Sequence, residues 1–404
     1  FIAPDQGLAF NRLALILVCN AVFFIAGFFA RTLRNQKLAL SGLLITGLFA
    51  ALLSLGVTDW QAGDLVRLPA LEALYARLPV LLRLPGTGVP NPAQGANPRM
   101  VAGAMALFLP LAFSLAAFAR RRGLRALGAL AVPVLLFPLL LSQSPQGLLA
   151  LAAGLGLALA FRWSWSLVPQ ALLMLAAGGG WALWRWGLPE ALAVRLEVGV
   201  QARLDIWPSA LRMVWDMPFT GSGLNNFPVV YPFYNPTGFV QPHAHNFFLQ
   251  TAADLGVFGL LATLALLGMG LRAGWRVAHS PAADPNQRAA AIGCAGGLAA
   301  LLGYGLWDSM TLGNVPALAV WAMLGLLFAL ERSTCPAVQP QVRRRAWGVL
   351  LAGLGILALV TVQVWGSALL VNLGRISYHL EAAGERAASP TGSLALAEQA
   401  AALA

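Results

Sequence analysis

The stretch Leu38-Ala-Leu-Ser-Gly-Leu-Leu-Ile-Thr-Gly-Leu-Phe-Ala-Ala-Leu-Leu-Ser-Leu-Gly-Val57 contains no charged residue. A helix needs about 20 mainly apolar residues to cross the hydrocarbon layer of a bilayer, and a helix can satisfy all its own backbone groups there. The same pattern recurs outward from this segment. Apolar runs lie at Arg12–Ala30, Met100–Phe118, Leu127–Leu141, Leu148–Phe161, Leu167–Trp184, Asn246–Leu271, Ala289–Trp307, Val315–Leu330 and Trp347–Leu369. Composition agrees: hydrophobic residues make up 59% of 404 positions and charged residues 10%, against about a quarter charged in soluble domains. The expectation is an all-α, polytopic membrane protein of about ten spans. The runs Leu127–Leu141 and Leu148–Phe161 are shorter than a full span, which predicts a tight hairpin around Ser142–Gly147.

The net charge of +11 does not point to nucleic acid. The arginines sit in short clusters at the ends of the runs, the arrangement that fixes orientation in a membrane. Alternating the spans puts Arg31, Arg34, Lys37, Arg120, Arg121, Arg122, Arg125, Arg162, Arg272, Arg276, Arg288, Arg332, Arg343, Arg344 and Arg345 on one side, predicted to be cytoplasmic. Loops 58–99 and 185–245, and the tail after residue 369, are then external. Cys19 and Cys294 fall inside spans and Cys335 in a loop, so no pair suits a disulfide.

Residues 1–369 are expected to form the membrane domain. In the first external loop, leucines and alanines recur at three- and four-residue spacing from Leu65 to Leu84, which predicts a helix lying on the membrane surface. The second external loop is the most polar long segment, and chemistry is expected there. Asp205 is predicted to cap a short helix through about Asp216, with Pro208 in its first turn and Pro218, Gly221 and Gly223 ending it. The tail 370–404 is Ala-rich and faintly resembles the start of a tetratricopeptide array. The chain opens at Phe1 without methionine and stops at Ala404 within that stretch, so it is expected to be a piece of a longer protein.

Two of the four histidines occur in Gln241-Pro-His243-Ala-His245-Asn246-Phe-Phe-Leu249-Gln250, at the outer mouth of a span. A histidine there exchanges a proton near neutral pH, or only anchors the helix by hydrogen bonding. A metal site would need a third ligand, and neighbouring sequence offers none. Gly221-Ser222-Gly223 lacks the third glycine and preceding strand of a dinucleotide site and reads as a turn. Asn246, Gln250 and Asp254 follow at four-residue steps, a polar stripe along an apolar helix. Asp308, at the outer end of another span, is a similar polar group. Such groups at membrane depth face a cavity or a partner helix.

The series Arg203-Leu-Asp-Ile-Trp207, Ala210-Leu-Arg-Met, Asp216-Met-Pro218, Gly221-Ser-Gly223, Asn226-Phe227, Tyr231-Pro232, His243-Ala-His245-Asn246-Phe-Phe-Leu249-Gln250 and Asp254-Leu-Gly256 resembles the core motif of the O-antigen ligase and polymerase superfamily. Asn97-Pro98 with Ala102, Gly305-Leu-Trp-Asp308, and Trp321 to Gly325 resemble outlying family positions in the right order. The resemblance implies a membrane glycosyltransferase that takes a glycan from an undecaprenyl diphosphate carrier on the external face and passes it to a lipid, glycan or protein acceptor.

Carried over position by position, the resemblance implies that His245 assists attack by the acceptor hydroxyl and that Arg203 binds the departing diphosphate. It also implies substrate contacts from Arg212, His243, Asn246, Asn226, Asp308, Asn97 and Arg99. No cofactor and no metal is implied. One departure stands out. Many members carry Ser-Arg-Gly where this chain reads Ser144-Pro145-Gln146-Gly147, so a second arginine is missing there. Arg99, Arg185 or Arg212 is a candidate substitute, and an inactive member is an alternative. A transporter or flippase of a polyprenyl-linked or other amphipathic anionic substrate is the alternative from another class, although no internal repeat supports it.

The arginine clusters give the orientation a direct test. A cysteine introduced at Gly238 reacts with an impermeant maleimide in intact cells and one at Gly123 does not. The reverse labelling inverts the topology.

Overall fold

A computed structural model of the chain describes residues 4–58, 60, 74–75, 77–78, 97–163, 190–235, 240–310 and 316–335. The expected spans at 167–184 and 347–369 and the tail 370–404 lie outside the described residues, as does the surface helix at 65–84 apart from residues 74–75 and 77–78. Within them the regular structure is helical: α1 (Gln6–Phe29), α2 (Leu33–Val57), α3 (Pro98–Phe118), α4 (Arg122–Leu141), α5 (Pro145–Arg162), α6 (Glu190–Asp216), α7 (Phe227–Val230), α8 (Phe247–His279), α9 (Pro285–Gly305) and α10 (Ala317–Thr334), with a 3-10 turn at Tyr231–Phe233. Among the described residues, α1 to α5, α8 and α10 are long and apolar enough to cross a membrane. The Ala- and Gly-rich α9 occupies the expected eighth run.

These helices start where the sequence can cap them. Asn97 and Ser144 are followed by proline at the first helical position, where a missing N–H removes nothing. The Asn97 side chain accepts from the Arg99 N–H and the Ser144 hydroxyl from the Gly147 N–H. Asp284 and Gln287 form a reciprocal capping box at the start of α9. The short runs Leu127–Leu141 and Leu148–Phe161 grow into full-length helices, α4 and α5, because Arg122–Ala126 and Pro145–Gly147 join them. The predicted hairpin forms with Gln143 in the left-handed region.

The described residues divide between two compact units. Those within Leu17–Val200 and Leu267–Cys335 make up one, and those within Phe1–Ile16 and Gln201–Leu266 the other. In the first, α9 packs on α3 and α5 through residues too small to hold the backbones apart. A Cβ on Gly296 would lie 2.7 Å from Pro110 Cβ and 2.8 Å from the Gly154 carbonyl oxygen. Lipid offers as much apolar contact as leucine does, so helix association in a membrane depends on close backbone approach of this kind. Polar clamps hold both ends. At one end the Gln287 amide donates to Gln36 and the Gln36 amide to Ser333. Arg120 and Arg121 N–H groups donate to Asn286. At the other, Tyr75 donates to the Leu141 carbonyl and accepts from Gln143. Each clamp joins termini that span alternation assigns to the same side.

The second unit departs from the sequence expectation. Asp205 caps nothing: α6 runs through it unbroken, from Glu190 to Asp216, with Pro208 in its interior. An interior proline costs roughly 3 kcal/mol by helix propensity. Packing offsets it. Ile206, Ala210 and Met213 on one face of α6, and Met217 just past its end, are buried with Phe227, Val230, Tyr231, Ala244 and Ala253, while Trp207 and Tyr234 close around them.

The other departure is a break in α8 at Gly256, whose φ of 70° and ψ of −176° are not helical. The chain 218–223 fits into this break. Val257 N–H donates to the Pro218 carbonyl, Ser222 N–H to Ala253 and Gly223 N–H to Asp254. Gly221-Ser222-Gly223 is therefore a turn, as read from sequence, and it completes the backbone hydrogen bonding of a membrane helix. Gly256→Ala places a side chain in a region that only glycine occupies freely, and its Cβ would lie 2.4 Å from the Phe219 carbonyl oxygen. Detergent-solubilised Gly256→Ala is expected to lose about 2 kcal/mol or more of stability, read as a lower unfolding midpoint. An unchanged midpoint would remove the break as a structural requirement.

Candidate active site

Phe247 opens α8, and Asn246 caps it by accepting the Leu249 N–H at 2.9 Å. The segment leading into that cap is clamped at Ala244, which is fully buried. Its N–H donates to Gln250 Oε1 at 2.7 Å and its carbonyl accepts from Trp207 Nε1 at 3.1 Å. The residue between the two histidines must therefore be small. With Ala244 held on both sides, His245 is pushed into the left-handed region at φ 49°, a conformation costing about 1–2 kcal/mol for a side chain with a Cβ. Its N–H donates to His243 Nδ1 at 3.3 Å, and the two rings meet edge to face at 4.1 Å. Both rings are partly exposed. His243 thus has a structural duty in orienting His245.

The polar stripe read from sequence is the support behind this clamp. Gln250 Nε2 donates to Asp254 Oδ1 at 3.0 Å. Asp254 also accepts from the backbone of Asn225 and faces the Arg12 guanidinium electrostatically. Arg12 in turn donates to Asn225 Oδ1 at 2.7 Å. Hydrogen bonds and charge therefore run from α1 through Asp254 and Gln250 to the peptide preceding His245. Asp5 extends the attachment of the N-terminal segment: its N–H donates to Asn226 Oδ1 at 2.7 Å, and Asn226 Nδ2 donates back to the Asp5 carbonyl.

Arg203 lies on the inward side of α6, 5% exposed. Arg212, nine positions on and about half a turn round, is exposed and donates to Ser209 and to the Tyr234 carbonyl. Burial pushes the Tyr231 phenol above its ordinary value, opposed by a hydrogen bond with Ser209. Asn226 is fully buried with its amide engaged by Asp5 and Leu224. These bonds tie the N-terminal segment to Asn226. Asn97, Arg99 and Asp308 belong to the other unit. There Asn97 caps α3, and the Tyr304 hydroxyl lies 2.9 Å from the Arg99 carbonyl and 3.0 Å from Asp308 Oδ2. Two of the outlying motif pieces are thereby brought together. In the third, Gly325 packs on α1, where a Cβ would lie 2.3 Å from the Phe23 carbonyl oxygen.

The holding roles of Arg12, Asp5 and Trp207 escaped sequence reasoning. Arg12 was visible as a charge opening an apolar run, but its partner Asn225 is 213 residues away. Pro145, where an arginine was expected, sits at the first position of α5. The flanking Ser144 and Gly147 have packing and capping duties: a Cβ on Gly147 would lie 2.6 Å from Ala102 Cβ.

These features define a multi-pass helical membrane protein with an arginine on the inward side of one long helix, α6, and a histidine just before the start of another, α8. Residues 134–264 match the family model described as O-antigen ligase, a segment that includes both Arg203 and His245. Over those residues the chain is similar to the O-antigen ligase family. Members are glycosyltransferase-like ligases or polymerases, and the family suggests glycosyl transfer in envelope polysaccharide synthesis, with lipid-linked glycan donors and glycan acceptors. Comparison with curated proteins gives no match. Among solved structures, a chain from work described as "Structural coordination of polymerization and crosslinking by a peptidoglycan synthase complex" shares 19% identity. The likeness covers 83% of this chain and 100% of that one at a TM-score of 0.40, too loose to bear on function.

The strained backbone at His245 separates a chemical role from a packing one. His245→Gly relieves about 1 kcal/mol of left-handed strain. Its unfolding midpoint is expected to hold or rise while glycosyl transfer is lost. A marked fall in the midpoint would make the imidazole a packing element.

Proposed function

We propose that the protein transfers a glycan from an undecaprenyl diphosphate-linked donor to an acceptor hydroxyl on the external face of the inner membrane. The observation that carries this reading is that the O-antigen ligase match contains, in one compact unit, a partly exposed histidine held in a strained, clamped conformation and an inward-turned arginine. In the reaction, the acceptor oxygen attacks the anomeric carbon and its proton passes to His245. The bond from that carbon to the diphosphate oxygen breaks, and its electron pair leaves on undecaprenyl diphosphate. Arg203 meets the charge that develops there, since a planar guanidinium matches two oxygens at once. A guanidinium supplies this charge without a metal ion, so chelators should not abolish transfer. The clamp at Ala244 keeps the base in place before substrate arrives, the kind of positioning on which such catalysis depends.

Purified protein incubated with labelled lipid-linked oligosaccharide and a panel of lipid, glycan and protein acceptors is expected to label one of them covalently. Movement of the donor across the bilayer without a covalent product would favour the transport alternative. His245→Ala should abolish transfer, a loss of about a hundred- to ten-thousandfold, with His243→Ala leaving a measurable fraction. Arg203→Lys keeps the charge but loses the fork, and should fold normally while transferring about thirtyfold more slowly, or about 2 kcal/mol. Near-normal transfer by Arg203→Lys at saturating donor would return this arginine to a structural role.

A further inference from the structure

The segment of α6 beyond Gln201 has three faces rather than two. Ile206, Ala210, Met213 and Met217 face the core of their unit. Gln201, Asp205, Arg212 and Asp216 form a polar row, in which the Gln201 amide donates to Asp205 at 3.0 Å. Opposite the core row and beside the polar one, at the core row's spacing of four, three and four, run Leu204, Pro208, Leu211 and Trp215. Leu204 is 55% exposed, Leu211 58% and Trp215 84%. At about 100° per residue, the three rows occupy separate sectors of the helix. A helix between protein and water needs only a core face and a polar face. A third, apolar face with a tryptophan near its end suits a helix resting at a membrane surface.

The apolar row does not stop at α6. Phe219, 42% exposed, follows it and stacks on Phe258 of α8, ring centroids 5.8 Å apart. Phe258 belongs to the exposed apolar face of that span, with Val257 and Leu261. The surface of α6 is therefore continuous with a surface that lies against lipid in any membrane-spanning arrangement of α8. We infer that the Leu204–Leu211–Trp215 face of α6 docks in the outer leaflet of the bilayer, as an extension of the lipid-facing surface of α8. This docking does not depend on the glycosyl-transfer reading, and an inactive protein would show it equally.

The test uses the full chain in nanodiscs of phosphatidylethanolamine and phosphatidylglycerol. Cys335 is replaced by serine, and the buried Cys19 and Cys294 are left in place. Nitroxide labels are attached singly at Leu204→Cys, Leu211→Cys and Trp215→Cys, at Gln201→Cys and Asp205→Cys on the polar row, and at Leu261→Cys on α8 as a lipid-facing reference. Collision rates are read with oxygen, which concentrates in lipid, and with a water-soluble nickel chelate. The expected result is an oxygen-to-nickel ratio at the apolar row several-fold above that of the polar row and approaching that of Leu261→Cys. Equal ratios at the two rows would overturn the proposal, leaving the face in water. Protection of the apolar row from both reagents would also overturn it, because a protein surface would then cover the face. Using three positions on one face keeps the test valid if any single variant fails to fold.

Discussion

A membrane helix cannot leave backbone hydrogen-bonding groups unsatisfied, and α8 breaks at Gly256. In lipid each orphaned group would cost several kcal/mol. The break is tolerated because the turn at 218–223 reaches it and takes up the groups left open at Ala253, Asp254 and Val257. Much of the candidate active site follows from this arrangement. The turn anchors the C-terminal end of α6, and α6 carries Arg203. The portion of α8 before the break carries Gln250 and Asp254, which fix the peptide before His245. The glycines at 221 and 256 serve this fit, since a Cβ at either would lie within about 2.6 Å of the opposing backbone.

The site is held by polar groups that are themselves satisfied, which is what makes it rigid. Half-satisfied networks at low dielectric are costly, whereas complete ones fix a single arrangement. Here Ala244 is bonded on both its N–H and its carbonyl, Gln250 uses both ends of its amide, and Asp254 is met by Gln250, Asn225 and Arg12. The strain at His245 persists because these neighbours determine it. Strain of this kind is most often retained where function uses it.

The other unit meets a different demand. Its helices have no hydrophobic drive toward one another in lipid, so α9 brings glycines and alanines to α3 and α5 and lets backbones touch. Small side chains lower the hydropathy of α9 while raising the quality of its packing. The clamps of Gln36, Gln287 and Ser333 at one end, and of Tyr75 and Gln143 at the other, tie the bundle together where loops meet its ends.

The helical membrane class was legible in the sequence because the bilayer acts on every span locally: length and apolar content suffice, as the run Leu38–Val57 shows. The caps at Asn97 and Ser144 act within one turn, yet the one cap read from the sequence, Asp205, lies inside α6 instead. The motif around His245 and Arg203 carried the resemblance to the O-antigen ligase family. The length of α6 was not legible, because Pro208 argues locally against a continuous helix and only burial of Ile206, Ala210, Met213 and Met217 outweighs it. Nor was the break in α8, where a glycine within an apolar run carries no local sign of a partner turn. Nor was the bond between Asn226 and Asp5, 221 residues away in sequence. The sequence by itself determined which segments enter the membrane and which residue types are available for chemistry. The tertiary structure decided which of those residues are held in place and by what, because hydrogen bonds between Arg12 and Asn225, or between Trp207 and Ala244, depend on distances that close only when the chain has folded.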